Sequence, residues 1–254
     1  MARDKLDFQS GCCICGKPLV YETESRLRVC AVCGKEVKSN AACEDGHFVC
    51  DSCHSSGFVG IRGFLKYSTE TDPDRLFLEA VAHPGVHMHG PEHHCIVPWV
   101  LLTAYRNNGG RLSVPYDDAM EEAYQRGSQV PGGICGFWGT CGAAIGAGIY
   151  ASLLLGSAPL NGEIWPVPQT LTAACLEKIA SVGGPRCCKR DSRLAIEAAV
   201  GFTAQQARIR MPLRKTGESC GFSEMNAQCR KGGCPYYKRK CVSEEKMVGI
   251  CRKM

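Results

Sequence analysis

The chain has no Gly-x-Gly-x2-Gly after a strand pattern, no P-loop, no radical-SAM Cys-x3-Cys-x2-Cys and no His-Glu-x2-His. These absences remove the usual supports for autonomous nucleotide binding, SAM cleavage and zinc-peptidase chemistry. The first residues, MARDKLDFQS, lack the apolar run of a secretory signal, so the expected compartment is the cytoplasm, where thiols stay reduced. Strand-like alternation is scarce. Charge is missing from Gly127 to Gly162, and within it Cys135 to Leu155 is long enough to span a bilayer. Five glycines, two cysteines and a threonine make that window weakly apolar, and no second span accompanies it. A helix buried in a soluble bundle, with no membrane partner, is the expectation.

What the chain has in excess is cysteine, 19 in 254 residues. In a reducing compartment these point to metal binding or redox work rather than a disulfide framework. With 44% hydrophobic and 22% charged residues the chain buries a substantial core. The expected fold is mainly α: a double zinc-binding module over 1–58, a helical-bundle body over 59–212 and a basic, cysteine-rich tail over 213–254. The net charge of +5 lies in the tail, where ten Lys/Arg meet four Asp/Glu. A basic tail suits nucleic acid, an acidic protein or an anionic cofactor, and equally a solvated surface.

The most specific signal is Cys12-x2-Cys15-Gly, Cys30-x2-Cys33-Gly and then Cys43-x3-His47-x2-Cys50-x2-Cys53. A Cys-x2-Cys turn presents two thiolates to one tetrahedral ion, and the following glycine lets the backbone turn so that amides face the sulfurs. Eight ligands suffice for two closed zinc sites. Sequential pairing makes a zinc ribbon of Cys12, Cys15, Cys30 and Cys33. Cross-bracing joins the first pair to the third and the second to the fourth, and CEDGHFVCDSCH resembles part of a RING-type finger. Cys13 and His54 are spare. The intervening KPLVYETESRLRV is expected to form a short hairpin.

In the body, Asp72-Pro73 opens one helix, Val97-Pro98-Trp99 is read as the start of another, and further helices are expected at about 116–126, 141–155, 167–182 and 187–205. Thr140 is the expected N-cap and Gly156 the stop of the central helix. Cys141 then lies in the first helical turn, where amides and the helix dipole favour thiolate. The alternative is that Gly142 and Gly146 only let a neighbouring helix approach. Cys187-Cys188 occupies a similar helix start beside Arg186, Lys189 and Arg190. Adjacent cysteines rarely pair with each other. Cys135, Cys141, Cys187 and Cys188 are therefore expected to converge on one centre, an iron–sulfur cage or a dithiol relay. HPGVHMHGPEHHC places five of the seven histidines within twelve positions. His89, His93 and His94 are candidate catalytic residues at the rim of that centre, against the alternative of a solvated turn. Cys175 is read as core.

The run GTCGAAIGAGIYASLLLG with Cys187-Cys188 resembles the C-GCAxxG-C-C family, presumed redox proteins of anaerobes, although the family's Gly-Cys-Ala reads Thr140-Cys141-Gly142 here. The wider layout, from the cysteine knuckles through HGPEHH and CGFWGTCGAAIGAG to RCCKRDSRLAI, is similar to the uncharacterised domain of unknown function 5714. The resemblance implies association with radical-SAM or methyl-transfer systems.

In the tail, Cys220, Cys229, Cys234-Pro235 and Cys241 are the expected cofactor ligands, with Cys251 beyond them. Cysteine followed by proline is common among iron–sulfur ligands, and zinc is the rival. Three functions follow: a metal- or iron–sulfur-binding redox or accessory protein serving a partner enzyme, a zinc-stabilised module that binds protein or nucleic acid, and a methyltransferase-type enzyme using the Cys/His clusters.

Overall fold

The computed structural model describes residues 12, 14–50, 59–83, 85–213 and 220–237. Cys13, Cys53, His54, Cys241 and Cys251 lie outside the described residues. The elements are β1 (Leu19–Val29), β2 (Glu36–Cys43), α1 (Val59–Tyr67), α2 (Pro73–Val81), α3 (Glu92–Asn107), α4 (Tyr116–Gly127), α5 (Ile134–Phe137), α6 (Gly142–Leu155), α7 (Pro166–Val182) and α8 (Cys188–Gln206). A 3-10 turn follows at Lys231–Gly233. The described chain is mainly helical, as expected.

Where KPLVYETESRLRV was expected to fold back on itself, it forms one strand. β1 pairs antiparallel with β2, from Leu19 opposite Cys43 to Val29 opposite Glu36, with an irregularity between Tyr21 and Arg26. The turn of this ribbon is the second cysteine knuckle rather than a turn inside 17–29. The module rests on α1: Ile14 fills the space that a side chain at Gly63 would occupy, and the His47 ring lies 5.0 Å from that of Tyr67.

α3 is the centre of the body, packed against α1, α2, α4, α6 and α8. Every residue from His93 to Tyr105 is buried, as a helix with neighbours on all sides requires. The expected start at Val97 is corrected. The helix begins at Glu92 and passes through Pro98, so His93, His94 and Cys95 belong to its first turns. Pro98 has no N–H to give the His94 carbonyl. That freed carbonyl lies where α6 crosses: a Cβ on Gly146 would meet it at 2.8 Å and Pro98 Cδ at 3.0 Å. The small residues of α6 thus do bring two helices close.

α2 is capped by Asp72, whose Oδ1 accepts the amides of Asp74 at 2.9 Å and Arg75 at 3.4 Å, with Pro73 at the first helical position. α6 ends at Gly156, φ 65°. Its N-cap is Cys141 rather than Thr140, in extended conformation and without a capping hydrogen bond from its side chain. Cys175 is fully buried in the core and directs its thiol at the Ala195 carbonyl, 3.7 Å. Among the described residues no helix is long and apolar enough to cross a membrane.

Candidate metal centres

The two N-terminal knuckles are built alike. The amide of Gly16 bonds the Cys12 carbonyl at 2.7 Å and that of Cys12 the Lys17 carbonyl at 2.8 Å; Gly34 and Cys30 repeat this with Cys30 and Lys35 at 2.9 Å each. Both turns need a left-handed residue after the second cysteine, and Gly16 and Gly34 supply it with φ of 72° and 71°. Amides then point at sulfur: Ile14 N–H to Cys12 at 3.4 Å, Cys50 N–H to Cys30 at 3.4 Å and His47 N–H to Cys43 at 3.3 Å.

The ribbon's register decides the pairing left open above. Leu19 opposite Cys43 brings β2 back to the first knuckle, and the Ala31 amide bonding the Phe48 carbonyl at 2.8 Å brings the following segment to the second. Two groups result, Cys12, Cys15, Cys43 and His47, and Cys30, Cys33 and Cys50, each with its ligand atoms within 4.8 Å of one another. First pairs with third and second with fourth. Cys15 and Cys43 sulfurs are 3.7 Å apart, Cys33 and Cys50 3.7 Å, and Cys43 sulfur to His47 Nδ1 3.4 Å. Each group can hold a metal ion.

In the body the expected single centre is divided. Cys187 is the N-cap of α8, in extended backbone, and Cys188 is its first helical residue, so the two side chains leave in different directions. Cys187 lines a tight cavity of about 30 Å³ together with Cys220, Cys229 and Cys234. Tail amides turn to these sulfurs: Phe222 N–H to Cys220 and Lys231 N–H to Cys229, 3.4 Å each, and Asn226 Nδ2–H to Cys187 at 3.7 Å. Three cations share this wall. Arg193 is held by Asp74 at 2.7 and 2.5 Å and Arg190 by Asp191 at 2.8 Å. Lys189, 3% exposed, has no carboxylate at ion-pair distance among the described residues. Its ammonium donates to the His87 carbonyl at 2.6 Å and His93 Nε2 at 3.3 Å, and burial lowers its pKa to about 8 while the sulfurs of Cys188 and Cys187 oppose the loss of charge.

Cys188 faces the other way, into a roomier cavity of about 350 Å³ lined also by Cys135, Cys141, His89, His93 and His94. Three of the four expected cysteines and the three histidines thus line one cavity, without Cys187. The histidines differ in what they have free. His93 is buried with both nitrogens engaged: Nδ1–H donates to the Gly90 carbonyl at 3.0 Å and Nε2 accepts from Lys189. Desolvation, then Lys189, lowers its pKa to about 3, so it holds the segment in place as a neutral ring. His94 donates from Nδ1 to the Val130 carbonyl at 3.0 Å. Its ring lies where a Cβ on Gly142 would collide with it. His87 is exposed and bound to Glu92 at 2.5 Å.

The thiolate-favouring helix starts are corrected by burial. Desolvation pushes the Cys141 thiol up to about 12 although the amides of Ala143 and Ala144 favour its anion, and raises Cys187 and Cys188 likewise. Charge loses more from water than the dipole returns. As bare thiols these groups are poor nucleophiles, whereas a bound cation reverses the balance.

Sequence reasoning missed Asn226, which is hydrogen-bonded to both His89 and Cys187, and the Asp74–Arg193 pair that fixes α8 on α2. Neither has a motif. An asparagine three residues before a cysteine and an aspartate in a helix's first turn are common, and only packing makes them partners. Residues 61–237 match the profile of the Family of unknown function (DUF5714). No curated protein and no solved structure matches the chain.

Proposed function

Given that the chain belongs to the DUF5714 family, we propose that it is a metal–thiolate protein: a zinc-stabilised N-terminal module joined to a helical body that carries an iron–sulfur centre in redox or accessory service to a partner enzyme. The observation that carries this is the meeting of Cys187 with Cys220, Cys229 and Cys234 beside Lys189. A buried ammonium without a carboxylate is costly, and thiolate sulfur is the anion at hand. Among the described residues only the two N-terminal groups have all ligand atoms within 4.8 Å of one another. In a cluster each thiolate binds its own iron, so the body sulfurs need not close on one tetrahedral ion.

For the module the chemistry of the donors favours zinc. Bonds of about 2.3 Å to sulfur and about 2.0 Å to nitrogen set tetrahedral edges near 3.8 Å for S–S and about 3.5 Å for S–N. The observed 3.7 and 3.4 Å agree. Closed four-ligand sites stabilise structure rather than activate water. A reducing cytoplasm is part of the proposal, as is the partner in a radical-SAM or methyl-transfer system.

Metal analysis with visible and EPR spectroscopy on anaerobically purified protein tests this reading. It expects about two zinc ions with iron and acid-labile sulfide, the iron falling in Cys220→Ser. Colourless protein with zinc alone overturns the cluster and leaves the second reading, a zinc-stabilised module that recruits a protein. The outward Tyr21, Leu27 and Val29 of the ribbon, 70, 64 and 60% exposed, favour that one.

A further inference from the structure

The body cavity of about 350 Å³ holds one nitrogen that the foregoing reading does not use. His89 lines this cavity. Its Nε2 lies 3.2 Å from Asn226 Oδ1, an acceptor, so Nε2 carries a proton, and in the neutral ring Nδ1 has the lone pair. The Asn226 carbonyl is fixed in that role because it also accepts the Gln228 amide at 3.0 Å, while its Nδ2 donates to Cys187. Nδ1 of His89 is buried and has no hydrogen-bond partner among the described residues. A buried imidazole nitrogen, deprotonated, unpaired and with its opposite N–H given to a carbonyl, has the form of a metal ligand.

Three thiols share the cavity. Cys135 lies within electrostatic reach of both Cys141 and Cys188. The amides of Ala143 and Ala144 favour anionic sulfur at Cys141, and that of Gly90 at Cys188. Arg186 adds positive charge to the wall. The room around these sulfurs, about 350 Å³, matches a cluster more closely than a single ion.

We infer that this cavity is a second metal site, an iron–sulfur cluster held by Cys135, Cys141 and Cys188 with His89 Nδ1 on the remaining iron. Thiolates set a low potential, and an imidazole in place of a thiolate raises it. The two centres would therefore differ in potential while being joined by a short covalent and hydrogen-bonded path: the Cys187–Cys188 peptide on one side, and His89 through Asn226 to the Cys187 sulfur on the other. The four-thiolate centre would then have the lower potential of the two.

The site is independent of the Cys187 centre, and neighbouring residues separate the two. Iron and acid-labile sulfide are counted per chain in anaerobically purified full-length protein. About eight irons are expected in the wild type, at four for each cluster, and about half that in Cys187→Ser and in Cys188→Ser alike. The double variant is expected to hold almost none. Cys135→Ser repeats the loss if Cys188→Ser does not fold, as judged by circular dichroism. His89→Ala is expected to keep most of the iron while changing the EPR spectrum and midpoint potential of one cluster only. Full wild-type iron in both Cys135→Ser and Cys188→Ser, or an unchanged His89→Ala spectrum, overturns this site and leaves the Cys187 centre standing. Halved iron in Cys188→Ser with no loss in Cys187→Ser or Cys220→Ser does the reverse.

Discussion

In the N-terminal module the ligands come from turns a few residues long, and sulfurs of different turns end 3.7 Å apart. In the body the sulfurs come from α5, the starts of α6 and α8, and the tail, and they surround cavities instead of touching. Among the described residues the module's buried apolar side chains beyond cysteine are only Ile14, Ala42 and Phe48, so a bound metal would add directly to its folding free energy. The body has a large aliphatic and aromatic core around Trp99, Phe77 and Tyr150. The same residue type is thus a staple in one region and a guest in the other.

The comparison breaks most visibly at Cys43, which belongs to the first candidate ligand group and also ends β2. Cys43→Ser is expected to lose one zinc per chain and with it the protease resistance of the module, while helix content by circular dichroism stays near that of the wild type. Parallel loss of helix would show that the body depends on the module.

Within the body the corresponding weak point is a charge pair. Asp74→Ala leaves Arg193 buried without its carboxylate, and a cost of about 3–5 kcal/mol is expected in denaturant unfolding. Arg193 also lies 3.9 Å over the Tyr236 ring, so the tail cysteines should become accessible to thiol reagents in the same variant. The zinc module should be unaffected.

A smaller effect comes with acid. Burial holds His93 neutral, its pKa lowered from 6.5 to about 3. Between those values the unfolded chain binds a proton that the folded one refuses, so this contribution is complete above pH 6.5 and is lost as pH falls. The slope is up to about 1.4 kcal/mol per pH unit for one proton. His93→Gln should have a shallower decline than the wild type between pH 6.5 and 5 in urea titrations. Equal slopes would mean that His93 is solvated.

The smallest expected effect is at the docked tail. Tyr236→Phe removes the hydroxyl that donates to Glu197 at 2.6 Å; Glu197 keeps Lys178 at 2.5 Å. A loss of about 1 kcal/mol is expected, seen as faster labelling of Cys220 with global stability nearly unchanged.

By itself the sequence determined the knuckles, the helical class and the end of α6, because each is a local matter: two cysteines and a glycine close a turn wherever they stand, and a left-handed Gly156 stops a helix. It marked Cys187 and Cys188 as residues with separate partners, since neighbours on a backbone point apart. Tertiary structure alone decided which partners. The ribbon's register chose the cross-braced pairing, because strand alignment brings Cys43 back to the first knuckle. The docking of the tail on α8 took Cys187 away from Cys135 and Cys141. The start of α3 moved to Glu92 because neighbours on every side stabilise a helix through Pro98 that local rules would begin there. Helix dipoles at Cys141 and Cys188 were legible in the chain, but burial, which is a property of the packed body, outweighed them.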